Sequence, residues 1–244
     1  MSANAPQTTG SSLCAETKKV LRLLRHQLGM LESEAISLDQ LSRGNSLQNP
    51  FENAAKAYSN QIEKKLKYFR NRWGFAYGDE EFGGLYVPCP SGYCKTLLIM
   101  PQDLTGPEDI FRKWGAEKKF DVAKYTDKSL NDFVPNDRRR LGHYALLHSG
   151  RQEADEELKN RSWEQNRVDR KETMRLSEVL LWEDELYTEK KEHIDPDTAT
   201  QTGSLDADGH VPRVHWDRDD RELYVHWYDR QHAAPGLRAR AVSL

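Results

Sequence analysis

The stretch Val211-Pro-Arg-Val-His-Trp216, Asp217-Arg-Asp-Asp220, Arg221-Glu-Leu-Tyr-Val-His-Trp-Tyr228 decides the fold. Val214 and Trp216 alternate with Arg213 and His215, and Leu223, Val225 and Trp227 alternate with Tyr224, His226 and Tyr228. A period of two marks strands, because successive side chains leave a strand on opposite faces. The polar residues between the two runs are of loop type, which predicts a hairpin. Val214, Trp216, Leu223, Val225 and Trp227 form its core face. The other face carries His215, Tyr224, His226 and Tyr228, large side chains with polar handles. Such a face suits contact with a partner better than plain solvent.

Around this hairpin the chain reads as α+β. Upstream, Leu21, Leu24, Leu28, Leu31, Ala35 and Leu38 are spaced for a helix over 15–42. Pro50 suits a first helical position, with Asn49 as cap, and opens a second helix striped by Ala55, Tyr58, Ile62, Leu66, Phe69 and Trp73. The two make an N-terminal helical hairpin over 15–74 after a polar tail over 1–14. Residues 75–140 are a mixed strand and helix segment. Strands are expected at Gly84 to Pro90, at Lys95 to Pro101 and at Phe120 to Tyr125. A helix is expected to open on Thr105 and Glu108, spaced as a capping box. From 141 onward the order is strand (His143 to His148), helix (Gln152 to Asn160), helix (Thr173 to His193), then three strands. The last strand is Leu237 to Val242, and 197–210 read as loop.

That order is the skeleton of the C-type-lectin-like fold. Lys124-Tyr-Thr-Asp127, Asp137-Arg138, Gln152 to Asn160, Val211 to Trp216, Leu223 to Trp227 and Leu237-Arg-Ala-Arg240 also resemble words of a family of uncharacterised bacterial proteins. The segment from Val87 to Leu98 resembles a part of the same family, so the likeness covers roughly 85–244. The family is similar to the variable proteins of diversity-generating retroelements, whose C-type-lectin-like ends display varied side chains for binding. One departure is Thr200-Gln-Thr-Gly-Ser204, where the family often has a Cys-containing word. The resemblance implies a ligand-binding surface made of His215, Asp217, Arg218, Asp219, Asp220, Tyr224, His226, Tyr228, Asp229, Arg230 and His232. Tyr offers contact area at little ordering entropy, and Arg a bidentate fork for carboxylates or phosphates.

Composition narrows the remaining classes. With 36 basic and 39 acidic residues the net charge is -3, which argues against a general nucleic-acid or membrane-surface binder. No apolar run approaches membrane-spanning length, and no secretory signal is evident. Cys14, Cys89 and Cys94 make neither a disulfide framework nor a four-cysteine zinc site, so a reducing cytoplasm is expected. Cys89 and Cys94 flank a turn but lack the spacing of a redox pair. No serine-nucleophile or glycine-rich phosphate motif is present. The expectation is a non-enzymatic binding protein with no cofactor and a protein ligand. Two alternatives stand beside it. One is a metal-dependent hydrolase or nuclease using His215, Asp217 and His226, with His210 close by. The other is an assembly protein that forms a homo-oligomer through its N-terminal helices. Arg138-Arg139-Arg140 is read as a solvated turn rather than a nucleic-acid contact.

Overall fold

A computed structural model describes residues 50–78, 82, 85–88, 90, 92–117, 120–137 and 142–244, with side chains from Tyr58 onward. Nearly all of the described residues belong to one compact unit, Ala54–Leu244. The first helix of the expected hairpin, Arg138 to Arg140, Cys14 and Cys89 lie outside the described residues.

The architecture is α+β. The elements are α1 (Pro50–Tyr68, continued by a π-helical turn Phe69–Trp73), β1 (Thr96–Met100), α2 (Pro107–Glu117), β2 (Asp121–Lys124), α3 (Leu130–Phe133) and β3 (Tyr144–His148). After a 3₁₀ turn at Glu156–Leu158 come α4 (Trp163–Val168), α5 (Leu176–Lys190), β4 (Ala199–Gln201), β5 (Val211–Asp217), β6 (Glu222–Tyr228) and β7 (Leu237–Ala239). Strands β1 and β3 pair antiparallel, and five strands form a second sheet in the order β2-β6-β5-β4-β7. Its outer pairs, β2 with β6 and β4 with β7, are parallel.

The hairpin forms as the alternation requires. Val214 pairs with Val225, His215 with Tyr224 and Arg213 with His226. Val214, Leu223 and Val225 are fully buried, and Trp216 and Trp227 pack against the same core. Complete burial of such side chains contributes about 1.5–3 kcal/mol each.

Helix α5 packs against α2, β1 and β5. Every residue from Leu176 to Leu186 is buried, including Glu178, Glu183, Asp184 and Glu185. A buried charge must be paired and hydrogen-bonded to be tolerated. Asp184 accepts from Tyr68, from the Arg72 guanidinium (Nη2 at 2.7 Å) and from Trp114 Nε1 at 2.6 Å. Lys65 pairs with Glu185, tying α1 to α5. Glu183 accepts from Ile194 N at 2.8 Å and meets His193 at 2.5 Å. The helix start is satisfied by a distant residue: the Asp137 carboxylate accepts from Leu176 N (2.8 Å) and Ser177 N (3.0 Å), where the free N–H groups and the dipole favour an anion.

Several local expectations are corrected. Leu85–Pro88 forms no strand, and the neighbour that Thr96–Met100 finds is β3, because Pro88 and Pro90 donate nothing to a ladder. Thr105 is held by Asp109 (N to Oδ2 at 2.6 Å), while Glu108 turns inward to Leu130 N, Lys124 and Arg112. Thr173 bridges to Ala241, and α5 begins at Leu176. The acidic run Gln152 to Asn160 yields only one 3₁₀ turn, because Asp155 N and Asn160 N donate to β7 carbonyls instead of winding further. The polar stretch after it does form a helix, α4, closed by a Ser162/Gln165 capping box. Within the expected loop 197–210, Ala199–Gln201 is the strand β4.

Arg240, just beyond β7, is fully buried. It donates to Thr200 Oγ1 (2.9 Å), Arg151 O (2.8 Å), Gln152 O (2.6 Å) and Asp195 Oδ1 (2.7 Å). One guanidinium thereby ties β4, the 151–155 loop and the end of the sheet together.

Candidate functional site

The face of the five-stranded sheet that carries Arg213, His215, Tyr224 and His226 has two halves. Toward β4 and β7 it is closed: Ala199, Val211, Leu237 and Ala239 are buried. Toward β5, β6 and β2 it is a platform of rings. Tyr125, one residue past β2, stacks on His226 at 4.3 Å between centroids. His226 lies 5.2 Å from Tyr224 and 5.3 Å from His215, and His215 lies 5.4 Å from Tyr224. Arg213 sits over Tyr228 at 4.6 Å, and Tyr228 stacks on His232 at 4.5 Å. Rings within this range attract one another beyond the area they bury.

The strands explain the clustering. Residues paired across an antiparallel ladder bring their side chains about 5 Å apart on one face. The register places His215 beside Tyr224 and Arg213 beside His226, and the parallel strand β2 delivers Tyr125 to the other flank of His226. On the fourth strand, Gln201 is the register partner of Arg213.

The electrostatics of the platform are unusual for an open surface. Burial, then the neighbouring Arg213 and His215, hold the His226 imidazole down to about 4. His215 is also held below the ordinary range, by burial and by Arg213. Both rings are neutral at neutral pH. Burial lowers Arg213 as well. No carboxylate pairs with Arg213 among the described residues, and its Nε is buried without a hydrogen-bond partner. His215 Nδ1 and both amide atoms of Gln201 are buried and unpartnered too. Orphaned buried polar atoms are scarce in folded proteins, and each costs about 1–3 kcal/mol.

The eleven residues expected at the site therefore separate into three groups. His215, Tyr224, His226, Tyr228 and His232 belong to the platform. Asp217, Arg218, Asp219 and Asp220 form the hairpin turn at one end. There Asp217 Oδ1 accepts from Asp219 N (2.8 Å) and Asp220 N (3.2 Å), Tyr224 Oη donates to Asp220 at 3.0 Å, and Arg218 lies 3.4 Å from Asp197. Hydrogen bonds to Glu222 and Asp220 keep the Tyr224 phenol protonated above its usual range. Asp229 and Arg230 are at the other end, with Arg230 paired to Glu164 at 2.9 Å. A seven-residue strand separates the two ends by roughly 20 Å, so the residues line an elongated face and do not enclose a pocket. Arg213, Gln201 and Tyr125 were not among the expected residues. Arg213 shares the parity of His215, a signal the sequence does carry. The place of Tyr125 depends on a strand pairing that no local pattern announces.

The residues of the metal alternative are not brought together as a set. Among the described residues, the group with ligand atoms in mutual reach is Asp206, Asp208 and His210, within 4.8 Å of one another. His215, Asp217 and His226 are not brought into such a group. Asp206 already serves its own loop, accepting from Asp208 N (2.9 Å) and His210 N (2.7 Å). Cys94 is buried, its thiol donates to Ala241 O at 3.5 Å, and burial pushes it up to about 11, away from a reactive thiolate.

Comparison with protein-family models, with curated proteins and with solved structures finds no match to this chain. Among the described residues no helix is long and apolar enough to cross a membrane.

Proposed function

We propose that the protein is a non-enzymatic binding protein that offers the platform of Tyr125, His215, Tyr224, His226 and Tyr228 to a protein ligand. The observation that carries this reading is the division of labour in the β5–β6 hairpin. One face is core, while the other is a half-exposed ring surface with unsatisfied polar atoms. Aromatic side chains that already stack on one another lose little conformational freedom when a partner covers them. The scaffold is of the C-type-lectin-like kind, a reading supported by the element order from β3 to β7. The positions on the platform are diversified ones, as in the variable proteins of diversity-generating retroelements.

The test is a selection of partners from the native host on wild-type protein and on the triple variant Tyr224→Ala, His226→Ala, Tyr228→Ala. A partner held by the first and released by the second is the expected result. Equal retention of every partner refutes the proposal. Diversification has its own test: a near-copy of the tail-coding repeat beside a reverse-transcriptase gene, differing mainly at adenines.

A further inference from the structure

Resting on that reading, we infer that the platform selects a protein segment whose Asp or Glu carboxylate docks on Arg213 while a neighbouring apolar side chain lies on the Tyr125–His226–Tyr224 rings. The argument begins with what Arg213 lacks. It is a guanidinium largely withdrawn from water, stacked on Tyr228, with no carboxylate opposite it among the described residues. A desolvated cation without a counter-ion is costly, and an anion that arrives with the ligand removes the cost. The cost is shared by its surroundings. Gln201, on the adjacent strand in register with Arg213, is almost wholly buried with neither amide atom bonded, and His215 Nδ1 on the same strand as Arg213 is likewise unbonded. The unsatisfied atoms of these three residues lie together on one row of the sheet and its neighbour. The Arg213 guanidinium is the planar fork for a carboxylate, and the orphaned atoms beside it add to the cost of leaving it unpaired.

The charge pattern selects the class of ligand. The hairpin turn carries Asp217, Asp219 and Asp220 and is followed by Glu222, whereas Arg218 faces Asp197. A nucleic-acid strand laid along the face would place successive phosphates against these carboxylates, in a protein whose net charge is already -3. A single carboxylate at Arg213, flanked by an apolar group, meets no such repulsion.

The probes are acetyl-aspartyl-tryptophan amide and its neutral asparaginyl counterpart. Their effects are followed on the Arg213 Nε–Hε and histidine ring signals of the full chain by NMR, with an oligothymidylate as the polyanion control. The aspartyl peptide is expected to bind about tenfold or more tightly than the asparaginyl one, the size of one charge-assisted hydrogen bond. Arg213→Gln is expected to abolish that preference, and Arg213→Lys, which keeps the charge and loses the fork, to retain part of it. Unchanged tryptophan fluorescence and thermal midpoint in both variants separate recognition from misfolding, and if Arg213→Gln unfolds, Arg213→Lys decides alone. Equal binding of the two peptides, no shift with either at millimolar concentration, or stronger binding of the oligothymidylate overturns the inference. Partner binding that depends on Tyr224 and His226 but not on Arg213 overturns it while leaving the broader binding reading in place.

Discussion

Replacing Arg240 with Met removes the charge and the donors of a fully buried arginine at little change in volume. Five acceptors lose a partner: Thr200 Oγ1, the carbonyls of Arg151, Gln152 and Glu153, and the Asp195 carboxylate. Asp195 is completely buried, so the dominant loss is an uncompensated anion, for which breaking a buried pair costs about 3–5 kcal/mol. That is a large share of the roughly 5–15 kcal/mol that holds a domain folded. With a urea dependence of about 2 kcal/mol per molar, the midpoint falls by roughly 2 M. Urea titration followed by tryptophan fluorescence measures it. Two controls identify the cause. Asp195→Asn added to Arg240→Met recovers about 1–3 kcal/mol, because the neutral amide is cheaper to bury and still accepts from Ala154 N. The penalty also shrinks at acidic pH, where Asp195, its counter-ion gone, takes up a proton in the folded state before the unfolded chain does. A cost below about 1 kcal/mol, or an Asp195→Asn change as harmful in the variant as in the wild type, refutes the reasoning.

Three further outcomes are expected. Leu223→Ala, on the core face of β6, costs about 2–5 kcal/mol, whereas Tyr224→Ala beside it changes stability by less than about 1 kcal/mol; thermal or urea denaturation distinguishes them. Glu185 is raised to about 7 by burial against the pull of Lys65, so the folded state keeps a proton that the unfolded chain releases near 4.5. Stability therefore declines as pH rises through that window, and Glu185→Gln flattens the decline in a pH series of denaturation curves. His226 faces Arg213, His215, Tyr224 and Tyr125, and an NMR titration is expected to place its midpoint near 4. Its contribution is complete above the ordinary histidine range and lost as pH falls toward 4, and a carboxylate bound on Arg213 moves its midpoint upward.

Much of this was legible in the chain, for a physical reason in each case. Alternation along Val211 to Tyr228 is a local property, and it places both faces of the hairpin correctly. The apolar run of β3 and the helix over Leu176 to Lys190 follow from the same kind of short-range pattern. What local pattern misses is pairing at a distance. Ala199–Gln201 looks like loop because the polar Thr200 finds its partners only in the fold, in Asp195 and Arg240. Glu183, Asp184 and Glu185 look like a solvated helix face until Lys65, Arg72 and His193 are placed against them. At the site, the rings of β5 and β6 were readable by parity. Tyr125 was not, because its position comes from β2.

The parallel union of β2 with β6 also has a temporal side. Asp121 pairs with Glu222, so the segment between them, about a hundred residues, must be looped before the first hydrogen bond of that pair can form. Closing so long a loop loses chain entropy before any contact compensates it, and folds rich in such distant pairings reach the native state in roughly milliseconds to seconds. The β5–β6 hairpin needs no such search and can close in about 1–10 μs. Tyr125 thus reaches the platform only through a long-range closure, whereas the other rings of the platform belong to a local hairpin.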